Sequence, residues 1–273
     1  MKRLIILFVI LISIINTYAA KVDTLKVMSK SMNKIVLNIV IIPDKSEVPK
    51  NGFPVVYLLH GATGNQNDWI KNVPAVKDYA DQYQLMIVCP DGGFTSWYFD
   101  SPVDSAFQYE SYITRDLLTY IDTHYSTTPD RSARAITGLS MGGHGALYLS
   151  IRNPKLFGSA GSMSGGVDLR ASPKMFDIAK RIGSIESNLA EWDNRSVINM
   201  VNNLKNDELN LIIDCGISDF FYLINAGLHR RLMSLKIDHD YIERPGEHNW
   251  QYWSNSIRYQ FLYFERCFQK GKK

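Results

Sequence analysis

Apolar positions along the 273-residue chain follow two periods, and the alternation between them predicts the order of elements. Residues 23–30 and Lys34 to Ile42 read as two strands joined by a tight turn at Ser31, Met32 and Asn33, with Pro43 stopping the second. Asp44 to Gly52 is a polar loop. Pro54 to Leu59 and Leu85 to Val88 are continuous apolar runs, the pattern of strands buried on both faces of a parallel sheet. Between them, Val73 to Tyr83 reads as a helix. Apolar residues at Tyr109, Ile113, Leu117 and Ile121 recur at helical spacing and predict a helix over Phe107 to His124.

The second half repeats the alternation. A short strand ends near Gly138 and a small-residue helix follows; further strands are expected at Ser159 to Met163, Asn210 to Cys215 and Tyr241 to Glu243. A helix runs on to about Met233, and the last one carries Trp250, Trp253, Ile257, Phe261 and Phe264 on one stripe. Gly165 to Glu208 differs in character: it is polar, lacks a clear strand and holds helical fragments at Met175–Ile182 and Ser196–Leu204. Such an excursion between two sheet strands is expected to lie over the edge where a site forms and to wall it. Strands alternating with helices predict an α/β fold, a mainly parallel eight-stranded sheet with helices on both faces. No repeat or low-complexity linker interrupts residues 20–273, so they read as a single domain.

Composition adds three constraints. Lys2 and Arg3, the apolar run Leu4 to Ile15 and the small residues of Thr17-Tyr18-Ala19 read as a secretory signal over residues 1–19. The run is too short for a membrane span, so an exported protein without stable membrane insertion after cleavage is expected, periplasmic or secreted. The formal charge of +3 falls to about +1 without Lys2 and Arg3, and no basic stripe appears, so nucleic acid is not an expected partner. Cys89, Cys215 and Cys267 are far apart and match no metal spacing; Cys89 and Cys215 end apolar runs as small buried hydrophobes would.

The candidate chemistry centres on Gly138-Leu139-Ser140-Met141-Gly142. A serine between glycines, preceded by a strand and followed by a helix, fits a nucleophile elbow, where close backbone approach demands small neighbours. Serine is a weak nucleophile and needs a base, and the base needs an orienting group. Of six histidines, His124, His229 and His239 read as surface or packing residues. His60 lies in a glycine turn suited to a structural hydrogen bond, and His144 points away from the serine. His248, in the glycine loop between the last strand and last helix, is the candidate base. Asp219, a short turn after a strand, is the candidate acid; Asp214 lies within that strand, and Glu247 is too close to His248 to face its ring. The amides of Met141 and Ala62 are the candidate donors to a tetrahedral oxyanion.

Together, His60–Gly64 with Trp69, Gly93 to Pro102, Tyr109–Tyr112, Gly138–Ala146, Cys215–Asp219 and Gly246–His248 resemble the esterase D / antigen 85-type esterase family over about residues 35 to 268. The resemblance implies an α/β-hydrolase fold and no cofactor. It supports Ser140, Asp219 and His248 as a catalytic triad with Ala62 and Met141 as oxyanion donors. The substrate is not inherited, because acyl and alcohol partners vary within that family.

Trp97, Tyr98 and Phe99 follow a strand on the expected site edge, so Trp97 and Tyr98 are candidate substrate-binding residues, as is Trp250 beside His248. The leading expectation is an exported serine carboxylesterase for short-acyl or hydroxycinnamoyl esters, small-molecule or polysaccharide-linked. An S-formylglutathione-type thioesterase or an acyltransferase is the alternative within the enzyme class. A carbohydrate-binding module on the same fold is the non-enzymatic one. Oligomeric state is left open.

Overall fold

The computed structural model describes residues 20–44 and 48–270, so the segment read as a signal lies outside the described residues. Eight strands form one sheet: β1 (Lys21–Ser29), β2 (Lys34–Ile42), β3 (Val55–Leu59), β4 (Met86–Pro90), β5 (Arg134–Gly138), β6 (Ser159–Met163), β7 (Asn210–Gly216) and β8 (Asp240–Arg244). Their spatial order is β1-β2-β4-β3-β5-β6-β7-β8. The β1–β2 and β2–β4 pairs are antiparallel and all others parallel. This is the α/β-hydrolase fold, with the antiparallel hairpin at one edge. The hairpin turn uses Asn33 at φ 48°, a left-handed conformation that asparagine tolerates better than most residues.

Every residue of β3, β4, β5 and β6 is buried, because helices cover both faces. On one face lie α1 (Asp68–Asn72), α2 (Val76–Tyr83) and the long C-terminal helix. The other face is covered by a helical stretch over 109–124, made of α3 (Tyr109–Ser111), a π turn (Tyr112–Leu117) and α4 (Leu118–His124). It also carries α5 (Met141–Arg152), α6 (Ile178–Ile182), α7 (Leu189–Arg195), α8 (Val197–Met200) and α9 (Tyr222–Ser234). The last helix, α10 (Trp250–Lys270), buries Trp253, Ile257, Phe261, Phe264 and Phe268, an i, i+4, i+8, i+11, i+15 stripe that faces the sheet. Cys89 and Cys215 are buried as well.

Two expectations need correction. The helix expected over Val73 to Tyr83 starts only at Val76, as α2, and a separate short helix, α1, precedes it and ends at Asn72, because Pro74 has no amide hydrogen to continue α1. Within 165–208, Met175–Ile182 shortens to α6 and Ser196–Leu204 to α8 plus a 3-10 turn, while α7 lies in a stretch with no clear apolar period.

Candidate active site

Ser140 sits between β5 and α5 at φ 54° and ψ −118°. A non-glycine residue there is strained, and the strain persists because the surroundings fix it. Its amide donates to the Met163 carbonyl at 2.9 Å and the Gly142 amide donates to the Leu139 carbonyl at 2.7 Å, closing the turn. The glycines are required by proximity. A methyl at Gly142 would lie 2.6 Å from the His60 carbonyl oxygen, and one at Gly138 would lie 2.7 Å from backbone of Gly142. The serine is 7% exposed, held at the top of the sheet with its hydroxyl reachable.

His248 reaches it from the β8–α10 loop. Nε2 lies 2.9 Å from Ser140 Oγ, and Nδ1 lies 3.0 and 2.9 Å from the two oxygens of Asp219. A carboxylate only accepts, so Nδ1 carries the proton; Nε2 is then free to accept from the serine hydroxyl. The Asp219 side chain is fully buried, and its Oδ1 also accepts the Phe221 amide at 2.8 Å. Backbone bonds from Ile217 to the Arg244 carbonyl and from Ser218 to the Gly246 carbonyl, each 3.0 Å, tie the loop carrying the carboxylate to the loop carrying the imidazole. Phe220 packs over the imidazole at a centroid distance of 4.2 Å and Trp253 meets it edge-on at 4.9 Å.

The turn after β3 runs beside the serine: a methyl at Gly61 would lie 3.4 Å from Ser140 Cβ. The Thr63 amide is used by the Phe94 carbonyl at 2.6 Å, whereas among the described residues the Ala62 and Met141 amides have no partner. Met141 opens α5, where the first amides of a helix lack intrahelical acceptors. Ala62 lines the same cleft as Ser140, and Met141 follows Ser140 in the chain. A cleft of 340 Å³ opens here, lined by the Gly61–Gly64 turn, Asp68, Leu139, Ser140, His248 and four aromatic side chains, Phe176, Phe220, Trp250 and Trp253. Phe176 belongs to the 165–208 excursion, which therefore contributes one wall.

Trp97 and Tyr98 are not in the cleft. They are 1% and 0% exposed, and both have positive φ, 58° and 60°. The Trp97 indole donates to the Phe176 carbonyl at 3.0 Å and its ring meets His144 edge-on at 5.3 Å. Tyr98 donates to the His60 carbonyl at 3.1 Å and fills the space that side chains at Gly92 and Gly145 would need. The two rings wedge their loop onto the elbow helix, so the expectation that they contact substrate is corrected. Trp250 does line the cleft.

The other histidines have local explanations. His60 Nδ1 donates to the Gly61 carbonyl at 2.7 Å, so Nε2 accepts the Gly92 amide at 2.8 Å. Asp91 lies 3.7 Å from that nitrogen, but an accepting nitrogen makes no ion pair. His229 and His239 bond to each other at 2.8 Å. Asp214 is buried and bonds Tyr252 and Arg244, and burial raises its carboxyl above the usual range although both partners act to lower it. Among the described residues, no cluster of three or more His, Cys, Asp and Glu is arranged to hold a metal ion, and no helix is long and apolar enough to cross a membrane.

Sequence reasoning missed Asp68, Phe176, Phe220 and Trp253. Phe220 adjoins Asp219 and Trp253 lies one turn past Trp250, so adjacency to the candidate residues was a usable signal for both. Nothing in the polar context of Phe176 marked it.

A strained serine on a strand–helix turn, at the carboxyl edge of a mostly parallel eight-stranded sheet, is the nucleophile-elbow arrangement of the α/β-hydrolase fold. Residues 29–264 match the esterase family model described as "Putative esterase", and the chain belongs to that family. It is 34% identical over 134 residues to esterase Rv1288 of Mycobacterium tuberculosis, covering 48% of this chain and 29% of that protein. The chain thus matches under a third of the length of that curated relative. It is 24% identical over 256 residues to an acetyl esterase of Caldicellulosiruptor saccharolyticus, covering 88% of this chain and 95% of that one. Among solved structures it is similar to a ferulic acid esterase, with a TM-score of 0.77 and 27% identity over 92% of this chain and 99% of that chain.

Proposed function

We propose that this chain is an exported serine carboxylesterase that hydrolyses short-acyl or hydroxycinnamoyl esters, small or attached to polysaccharide, through an acyl-enzyme. The observation that carries the reading is the unbroken hydrogen-bonded chain from Ser140 Oγ through His248 to Asp219. In this reading His248 Nε2 takes the hydroxyl proton as Oγ bonds to the ester carbon, and Asp219 holds the imidazolium in place. The amides of Met141 and Ala62 receive the negative charge on the former carbonyl oxygen, a contribution of about 2.7–4 kcal/mol for each such donor. Collapse breaks the bond to the alcohol, which leaves with the proton from Nε2. Water then attacks the acyl-Ser140 ester with His248 as base, releasing the acid and restoring the serine.

The four aromatic side chains around the cleft suit a planar or apolar acyl group. The names of the acetyl esterase and the ferulic acid esterase agree with the two acyl classes proposed. Export rests on the charged start, apolar run and small residues of positions 1–19. A binding module on this fold would have no use for an aligned hydroxyl, imidazole and buried carboxylate.

The test uses p-nitrophenyl acetate and methyl ferulate. Wild type is expected to turn over both and to be labelled by a fluorophosphonate. Ser140→Ala is expected to lose about 10⁴-fold or more in kcat and all labelling. A folded wild type that neither turns over an ester nor takes the label ends the reading.

A further inference from the structure

The cleft beside Ser140 contains one ionisable group that the reaction above does not use. Asp68, at the start of α1, is half-buried and lines the cleft together with the Gly61–Gly64 turn. Its carboxylate folds back over that turn, since a side chain at Gly64 would overlap Asp68 Oδ2. The charge is therefore held against the loop that carries the Ala62 amide. Among the described residues no lysine, arginine or histidine forms an ion pair with Asp68, and the cleft lining includes no lysine or arginine. Among the described residues lining the cleft, His248 is the one other ionisable side chain, and it is engaged by Asp219.

We infer that Asp68 is a specificity-determining residue: it makes the cleft select esters whose reacting parts carry no negative charge and can offer hydroxyl groups, such as esters of neutral sugars, over carboxylate-bearing esters and thioesters. This deepens the esterase reading and rests on it. An uncompensated carboxylate in a recess walled by Phe176, Phe220, Trp250 and Trp253 is screened less than one in open water, so an anionic substrate meets repulsion with no nearby cation to offset it. A hydroxyl on an uncharged partner can instead donate to Asp68, a charge-assisted hydrogen bond that fixes orientation. Glutathione thioesters bring carboxylates of their own and fall on the disfavoured side.

The experiment compares matched pairs: methyl 4-acetoxybenzoate against the 4-acetoxybenzoate anion, with the charge in the alcohol part, and dimethyl succinate against monomethyl succinate, with the charge in the acyl part. The quantity read is the ratio of kcat/KM for the neutral member to that for the anionic member. Asp68→Asn is expected to lower this ratio by about tenfold in at least one pair, equivalent to about 1.4 kcal/mol, whereas Asp68→Glu is expected to keep it. Raising salt from about 0.01 to about 1 M shortens the screening length from about 30 to about 3 Å, and is expected to lower the wild-type ratio but not that of Asp68→Asn. A wild-type ratio that Asp68→Asn leaves unchanged in both pairs overturns the assignment. Comparing ratios cancels the intrinsic reactivity of each ester and any general loss of active protein. Wild type that hydrolyses none of the four esters, and escapes fluorophosphonate labelling, would instead sink the esterase reading itself.

Discussion

The Tyr252 hydroxyl donates a 2.5 Å hydrogen bond to Asp214 Oδ1, tying the first turn of α10 to the interior of β7. Asp214 Oδ2 receives Arg244 from the end of β8, and Arg244 also donates to Ser256 at 2.9 Å. One buried carboxylate therefore holds both ends of the loop that carries His248. The Tyr252 ring fills the space that a side chain at Gly246 would occupy, so the same residue shapes the loop from inside.

Removing Asp214 would leave Arg244, whose side chain is 19% exposed, without its anion. Loss of one member of a buried pair typically costs about 3–5 kcal/mol. Asp214→Ala is expected to lose stability on that scale. Tyr252→Phe, which deletes one hydrogen bond to a charged group, is expected to lose about 1.5–3 kcal/mol. Urea denaturation measures both. Because Tyr252→Phe loosens the loop without touching the reacting groups, kcat on p-nitrophenyl acetate is expected to fall while KM stays near the wild-type value.

Gly61 and Gly142 give a second, paired prediction. A methyl at Gly61 meets Leu139 Cδ1 at 2.6 Å, the far end of a side chain that can move. At Gly142 it meets the carbonyl groups of Leu59 and His60 at 2.6–2.8 Å, and backbone in the centre of the sheet cannot. Gly142→Ala is expected to cost about 1–3 kcal/mol or more, the range of an overpacked interior, and Gly61→Ala clearly less. Equal melting temperatures for the two variants would contradict this difference in packing.

Trp97 and Trp250 separate packing from substrate contact. Trp97 is 1% exposed and wedged against His144 and Phe176, so Trp97→Ala is expected to lose about 3–5 kcal/mol of stability. Trp250 lines the cleft, stacked edge-on with Trp69 at 5.2 Å, and Trp250→Ala is expected to raise KM for methyl ferulate with a smaller change in melting temperature. The reverse pattern would restore Trp97 as a substrate residue.

These contrasts show what the sequence carries and what it withholds. Continuous apolar runs such as Val55–Leu59 and Met86–Pro90 announce buried parallel strands, because only a strand covered on both faces tolerates them. The sharing of one edge by Ser140, Asp219 and His248 was legible for a related reason: each follows a strand, and parallel strands end together. The aromatic loop was not legible. Whether a ring after a strand turns toward solvent or inward depends on φ at Trp97 and Tyr98 and on the room left by Gly92 and Gly145, which are long-range facts. Phe176 enters the cleft through a turn in a polar segment, and Asp68 through a five-residue helix; neither has a periodicity to announce it.

His144 supplies a pH dependence that belongs to the fold and not to the reaction. It is buried, with Nε2 2.8 Å from the Arg195 carbonyl and Nδ1 3.2 Å from the Trp97 carbonyl. A neutral imidazole donates once, so the shorter contact holds the proton and the longer one faces a carbonyl without it. Burial lowers its pKa to about 4, outweighing the two carbonyls, which favour the charged form. In the unfolded chain the group titrates near 6.5. The folded value is the lower one, so between the two the unfolded state binds more protons and stability rises with pH. The contribution is complete above about pH 6.5 and is lost as pH falls toward about 4, an amount of roughly 3 kcal/mol. Urea denaturation at a series of pH values, for wild type and His144→Asn, isolates it from carboxylates that titrate nearby. The wild-type curve is expected to fall more steeply through this window than that of His144→Asn. Parallel curves would mean that the imidazole is already charged in the fold, with both carbonyls accepting from it.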